Sequence, residues 1–337
     1  MQRKTIVTLF SVLFLFGATA VQAQQYATYG GSYGSNYGRY SSGPALDSRT
    51  YAIFNQRTGR MMASSGEAQR VPIASITKLM TAMVVLDARQ RLSEFLVINK
   101  DDIDYLKGSG SRLSIGTRMS REEMLRLALM SSENRASSAL ARYYPGGRGA
   151  FVQAMNIKAR MIGMTDTRFV DSTGLSPSNV ASARDLVKLV QAASGYPLIR
   201  EFSTTPERYV STPRGVLRYT NSNGLVREGS WAIGVSKTGY IREAGRCLVM
   251  QTWVGSEPVI MVMTGASGSG ARTNDAYRLR QWAMTSGGLQ GGSMVARGPA
   301  RPLADLPPAN LPPMDLDNSV AAGGSLNTDS LFSGSNN

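Results

Sequence analysis

The sequence predicts an α+β fold, an antiparallel five-stranded sheet with helices packed on it. Three observations predict it. Two short apolar runs near the start, 51–54 and 61–63, flank a turn at Thr58-Gly59 and read as a hairpin. Three further runs, 231–238, 246–254 and 258–264, follow one another late, with connections too short for anything but antiparallel neighbours. Between the two groups the apolar residues recur at helical spacing.

Taken in order, the first 23 residues have the layout of a secretory signal. Arg3 and Lys4 are charged, an apolar run covers 6–16, and Val21-Gln22-Ala23 offers small residues for cleavage. The run falls short of the roughly 20 residues of a membrane-spanning helix. Residues 24–47 are rich in Gly, Ser and Tyr, a disordered composition. A single domain is expected over 48–288. After the first hairpin, Ile76, Leu79, Met80, Met83 and Val84 predict a helix over 76–88. Ser120 and Glu123 form a capping box ahead of Met124, Leu125 and Ala128. Further helices are expected at 148–162, 182–194 and 271–285. From 289 to 337 the chain is again rich in Pro, Gly, Ser and Asn and reads as an extended tail with no amphipathic anchor.

Composition removes several chemistries. There is no histidine, which eliminates Ser-His-Asp and Cys-His catalysis and nearly every zinc site. The lone Cys247, in an apolar run, cannot form a disulfide within the chain and is expected to be a buried, inert thiol. A nucleophile in this chain therefore needs another base, and lysine is the main candidate. The formal charge is +14. It suits attraction to an anionic envelope, whereas no basic cluster with interleaved aromatics points to nucleic acid. "KGSGSR" and "GASGSGAR" lack the ending of a phosphate loop and read as turns. Asp101, Asp102 and Asp104 read as an exposed acidic loop, with cation binding as the alternative.

One Ser-x-x-Lys occurs, Ser75-Ile76-Thr77-Lys78, at the start of the first long helix. A spacing of three puts hydroxyl and amine on one helix face. Such a lysine can take the serine proton if burial and a neighbouring cation depress its pKa. The same letters also fit a capping serine beside a solvated lysine. Ser132-Glu133-Asn134 follows the helix "EEMLRLALM", at a junction between helices where side chains can point into a cleft. Lys237-Thr238-Gly239 is the one Lys-Thr-Gly in the chain and ends the strand-like run "WAIGVSKTGYI". Two of the chain's seven lysines stand in these motifs.

In this order the three motifs resemble those of the serine β-lactamases and penicillin-binding proteins. "IASITKLMTAMVVLDA", "LALMSSENRA", "DSTGLSPSNVASARDL" and "KTGYIREAGRCLVM" are most similar to the low-molecular-mass D-alanyl-D-alanine peptidases, in particular their soluble endopeptidase branch. The resemblance covers about 48 to 285. It implies a β-lactamase/DD-peptidase-like architecture, with helices on both faces of the sheet plus a helical subdomain. It also implies a periplasmic enzyme without cofactor, metal or integral membrane anchor. Its substrates would be peptidoglycan stem peptides and cross-links, and β-lactam antibiotics would inhibit it covalently.

The residue roles implied are these. Ser75 attacks the D-Ala carbonyl with Lys78 as its base, and Ser132 relays a proton to the leaving amine. Asn134 holds the substrate amide. Lys237 and Thr238 receive the free carboxylate beside the scissile amine. The backbone N–H groups of Ser75 and Tyr240 form the oxyanion hole, and Gly239 lets its strand approach substrate. Glu133 and Arg135 stand where many of the family carry Gly and Asp, and a polar tail stands where the carboxypeptidases continue; both departures favour an endopeptidase. A carboxypeptidase, a β-lactamase and a non-catalytic wall-binding protein of the same fold remain as alternatives.

Overall fold

The computed structural model describes residues 43–285. The expected signal segment, most of the Gly/Ser/Tyr-rich segment and the 289–337 tail lie outside the described residues. The chain opens with β1 (Thr50–Asn55), β2 (Arg60–Ser65), β3 (Val71–Pro72), a 3₁₀ turn at Ala74–Ile76 and α1 (Thr77–Asp87). β4 (Phe95–Val97), β5 (Arg118–Ser120), α2 (Arg121–Met130), α3 (Asn134–Arg142) and α4 (Gly147–Met161) follow. Next come β6 (Val180–Ala181), α5 (Ala183–Ala193), α6 (Pro197–Ser203), the hairpin β7 (Glu207–Thr212) and β8 (Gly215–Thr220), and α7 (Gly224–Glu228). β9 (Ile233–Ile241), β10 (Gly245–Val254), β11 (Glu257–Ala266) and α8 (Ser269–Thr285) close the described chain.

The expected five strands form one antiparallel sheet in the order β2-β1-β11-β10-β9. The first hairpin sits beside the last strand, with Tyr51 opposite Met263 and Ile53 opposite Met261. Side chains alternate across a strand, and both faces are covered. Ala52, Phe54, Val249, Ile260 and Val262 join the larger core with α1 and α5. Tyr51, Ile53, Leu248, Met250, Met261 and Met263 pack with Ala276, Leu279 and Trp282 of α8. Each side chain of that size stabilises the fold by about 1.5–3 kcal/mol when fully buried.

α1 is buried on every side from Thr77 to Val85. A helix with no wet face lies at the centre of a core, so Lys78 is buried by the position of its helix. At Ser120 the side chain accepts from the Glu123 N–H at 3.1 Å, as expected of an N-cap. Its expected reciprocal partner is engaged elsewhere: the Glu123 carboxylate receives Arg208 Nε and Nη2 at 3.2 and 2.9 Å. Asp102 also departs from the exposed acidic loop expected for it. It is 3 % exposed and held by Arg142 at 2.7 Å and Arg148 at 3.0 Å. Two arginines on one carboxylate explain its burial and leave no cation site.

The hairpin β7–β8 is not foreshadowed by the apolar pattern. Its strands alternate only weakly, because most of their side chains are exposed. The turn Pro213-Arg214-Gly215, with Gly215 at φ +100, is its one clear local signal. No helix among the described residues is long and apolar enough to cross a membrane.

Candidate active site

The turn before α1 places Ser75. Ala74 has φ +48, a left-handed conformation that is costly for a non-glycine residue and that holds Ser75 on the turn. Lys78, one helical turn on and 1 % exposed, donates to Ser75 Oγ at 3.0 Å, Asn134 Oδ1 at 2.7 Å and the Thr173 carbonyl at 2.6 Å. Ser75, Lys78 and Asn134 are thus brought into one hydrogen-bonded group.

Burial pushes the Lys78 amine down to about 7, against the opposing pull of Asp171, Glu133 and Asp104. Lys237, also 1 % exposed, is held well below the ordinary lysine value by burial, then by Lys78 and Arg272. Burial is the larger cause for both amines, and a charge on either would further disfavour a charge on the other.

The peptidase-like stretch 171–179 forms a loop against Ser75 and Lys78. Asp171 Oδ1 accepts from the N–H groups of Thr173 and Gly174 at 2.7 and 2.6 Å, and Oδ2 from Ser176 N–H and Asn179 Nδ2 at 3.0 and 2.8 Å. The loop so fixed presents the Thr173 carbonyl to Lys78 and the Ser172 carbonyl to Thr81 at 2.7 Å. Gly174 lies at φ +80 against the nucleophile turn, where an added Cβ would overlap the Ala74 carbonyl and come within 2.9 Å of Ser75 N. Gly174→Ala is therefore expected to cost on the order of 2–4 kcal/mol from backbone strain plus overpacking. A urea midpoint equal to that of the wild type would contradict this placement.

At the helix junction, Ser132 has φ +62 and its hydroxyl makes no hydrogen bond among the described residues. Glu133 is 8 % exposed; its Oε1 accepts from Ser111 Oγ at 2.6 Å and from Arg135 N–H at 3.2 Å. Asn134 Nδ2 donates to Ser109 Oγ at 2.9 Å, leaving one amide hydrogen free for a substrate carbonyl. The loop carrying Ser109 and Ser111 is wound on Asp104, which accepts the N–H groups of Leu106, Lys107 and Ser109. It reaches the sheet side through Lys107 and Glu243 at 2.6 Å.

β9 is the edge strand, so one row of its N–H and C=O groups faces away from the sheet, free to pair with an extended peptide. Gly239 is expected to clear the way for substrate. An added Cβ there would also meet the turn bearing Ser75, at 3.0 Å from Ile73 O and 3.1 Å from Ser75 N. The glycine brings the strand beside the Ser75 amide, as two convergent N–H donors require. Tyr240 follows with its side chain 53 % exposed and Arg246 stacked 4.0 Å from its ring. Lys237 Nζ donates to the Thr238 carbonyl at 2.9 Å, and Thr238 Oγ1 donates to Ser222 Oγ at 2.7 Å.

Motif reading misses Arg272. It lies at the start of α8, 7 % exposed, with Nη1 donating to the Cys247 carbonyl at 3.3 Å and Nε unpartnered among the described residues. Its charge adds to the burial that depresses Lys237, and Arg272 is itself lowered by burial first and then by Arg246 and Arg227. This excess of buried positive charge beside β9 is what an incoming carboxylate would relieve. Cys247, opposite Gly239, is fully buried and its thiol is pushed up to about 11, the inert state expected of it.

Comparison with known proteins points the same way. The family described as D-alanyl-D-alanine carboxypeptidase (peptidase S11) matches residues 38–268. A protein of Pseudomonas aeruginosa named D-alanyl-D-alanine endopeptidase is 46 % identical over 283 residues, covering 83 % of this chain and 88 % of that one. One of the same name from Escherichia coli K12 is 47 % identical over 247 residues, covering 73 % and 80 %. Among solved structures, the Streptomyces K15 DD-transpeptidase superposes with a TM-score of 0.66 at 26 % identity, covering 72 % of this chain and 98 % of that one.

Proposed function

This chain belongs to the D-alanyl-D-alanine carboxypeptidase family of serine peptidases, and from that premise we propose that it is a penicillin-sensitive D-alanyl-D-alanine endopeptidase. It hydrolyses peptidoglycan cross-links through an acyl-enzyme on Ser75, in the periplasm, after export on its N-terminal signal. The observation that carries the reading is the buried Lys78 amine, 3.0 Å from Ser75 Oγ and depressed to about 7, a base poised to work at neutral pH.

Ser75 Oγ attacks the carbonyl of the scissile D-Ala bond and its proton passes to Lys78. The oxyanion meets the N–H groups of Ser75 and Tyr240, a stabilisation worth roughly 2.7–4 kcal/mol per donor. The C–N bond breaks, and the amine leaves with the proton handed on through Ser132. Water then cleaves the ester, giving its proton to Lys78 and returning the hydrogen to Ser75. Asn134 keeps Lys78 aligned and holds a substrate carbonyl with its free N–H. The carboxylate beside the scissile amine is held by Lys237 and Thr238, with Arg272 adding charge from behind.

Digestion of purified sacculi, with products resolved by mass, tests the reading. Dimers converted to monomers are expected. Pentapeptides trimmed to tetrapeptides with dimers left intact would make it a carboxypeptidase instead.

Lys237→Ala is expected to slow acylation by substrates with a free carboxylate by about 2–5 kcal/mol more than acylation by their esters. Lys237 is buried and repelled by Lys78 and Arg272, so a bound carboxylate is what makes its charged form favourable. Equal losses on acid and ester would remove that role.

A further inference from the structure

A cavity of about 420 Å³ opens beside Ser132, and neither Ser75 nor Lys78 lines it. This is the size of a small-ligand site, roughly 300–1,000 Å³. Its walls include Ser111 and Arg112 from the Asp104-wound loop, Ser132 and Asn134 at the helix junction, and Tyr219 of β8. Ser132 and Asn134 face it from the catalytic side, whereas Arg112 and Tyr219 on the opposite side have no role so far.

Arg112 is exposed, yet its guanidinium is fixed. It lies 3.9 Å over the Tyr219 ring and donates through Nη1 to the Arg218 carbonyl at 2.6 Å. No carboxylate among the described residues pairs with it. In so basic a chain an unpaired arginine means little by itself. An arginine immobilised at the rim of a cavity, with donors to spare, is a different matter, because a rigid guanidinium fork binds a carboxylate with little further loss of freedom. Below it Tyr219 is 1 % exposed, with its hydroxyl unpartnered among the described residues. Burial pushes that phenol up to about 12, so it keeps its proton and remains an unspent donor. The nearest acid, Glu133, is committed to Ser111 and Arg135.

Two contacts say which part of the substrate reaches this space. Tyr219 stands three residues before Ser222, whose hydroxyl holds Thr238 at 2.7 Å, on the strand segment that takes the carboxylate of the leaving residue. Ser132, which hands the proton to the leaving amine, is part of the wall. The cavity therefore adjoins the departing side of the scissile bond. A carboxypeptidase expels a single D-residue that ends at Lys237 and Thr238. Cleaving a cross-link expels a residue that continues into a second stem peptide, an acidic chain that needs room beyond the amine.

We propose that the cavity between Arg112 and Tyr219 is the subsite for the departing stem peptide, with Arg112 receiving one of its carboxylates. This rests on the endopeptidase reading. Arg112 is a specificity-determining residue, and its effect belongs to the cross-link alone.

The test uses two synthetic cross-linked dimers. Both keep the carboxylate beside the scissile amine, and one has the remaining carboxylates of the departing stem amidated. With the full-length protein, Arg112→Gln is expected to lower kcat/KM on the free-acid dimer about 10- to 100-fold, mainly through KM. The loss should be far smaller on the amidated dimer and in the rate of penicillin acylation, and Arg112→Lys should recover part of it. Equal losses on both dimers, no loss on either, or an equal fall in penicillin acylation would overturn the subsite. A wild-type protein that takes up penicillin but leaves both dimers intact would remove the endopeptidase reading itself, a result separate from that of any variant.

Discussion

Ser75→Ala is expected to abolish covalent labelling by penicillin and to lower turnover of cross-linked peptide on the order of 10⁶-fold, as removal of a serine nucleophile does elsewhere. The hydroxyl accepts one hydrogen bond, from Lys78. Its loss leaves the packing of the turn and of α1 untouched, so the variant should unfold at the wild-type urea midpoint. Intact-mass spectra of the wild type should show one penicilloyl group that persists for minutes or longer. The carboxylates near Ser75 are committed: Asp171 accepts from five groups of its own loop, and Glu133 from Ser111 and Arg135. Neither is free to activate water against the ester. Labelling of Ser75→Ala at the wild-type rate would refute the nucleophile. An adduct lost within seconds, with catalytic consumption of penicillin, would make the protein a β-lactamase.

What is legible in the sequence follows the length scale of each interaction. Ser75 and Lys78 are three residues apart on one helix, so their contact is a property of local geometry and can be read from the letters. The strand expected over 231–238 is legible because an apolar run ends in Lys237-Thr238-Gly239, and the folded strand, Ile233–Ile241, runs a little further. The antiparallel pairing of the late strands follows from short connections that permit nothing else. The capping role of Ser120 is legible too, because an N-cap is local.

The features that escape a sequence reading are long-range or made of backbone. Thr173 reaches Lys78 through its carbonyl, 95 residues away in sequence, and no side-chain motif encodes a carbonyl. Asp171 stands out by resemblance, but its work of pinning that carbonyl shows only in the folded loop. Arg272 arrives from a helix beyond the last motif, in a chain with 30 arginines where one more carries no signal. The roles of Gly174 and Gly239 depend on which backbone each one meets, the turn 73–75 in both cases. Asp102 misleads for the same reason: Arg142 and Arg148, which bury it, are remote in sequence.

Lys78→Met should keep the fold at a cost of about 1–3 kcal/mol, since methionine has a similar volume but leaves the Thr173 carbonyl and Asn134 Oδ1 without their donor. Acylation by penicillin should fall by about 10²–10⁴, the usual contribution of a positioned general base. As the proposed base, Lys78 would work in the wild type as the neutral amine. Burial has lowered its pKa to about 7, so the amine is protonated below that pH and free above it. The rate constant of acylation should therefore rise with pH through about 7 and level off above. Glu133 and Asp171 both pull that value upward, so Glu133→Gln should move the rising limb to lower pH. The wild-type limb is expected to be absent from Lys78→Met. If the variant kept both the limb and the rate, the proton would be going to another group, Lys237 being the other buried amine of the site, and Lys78 would not be the base.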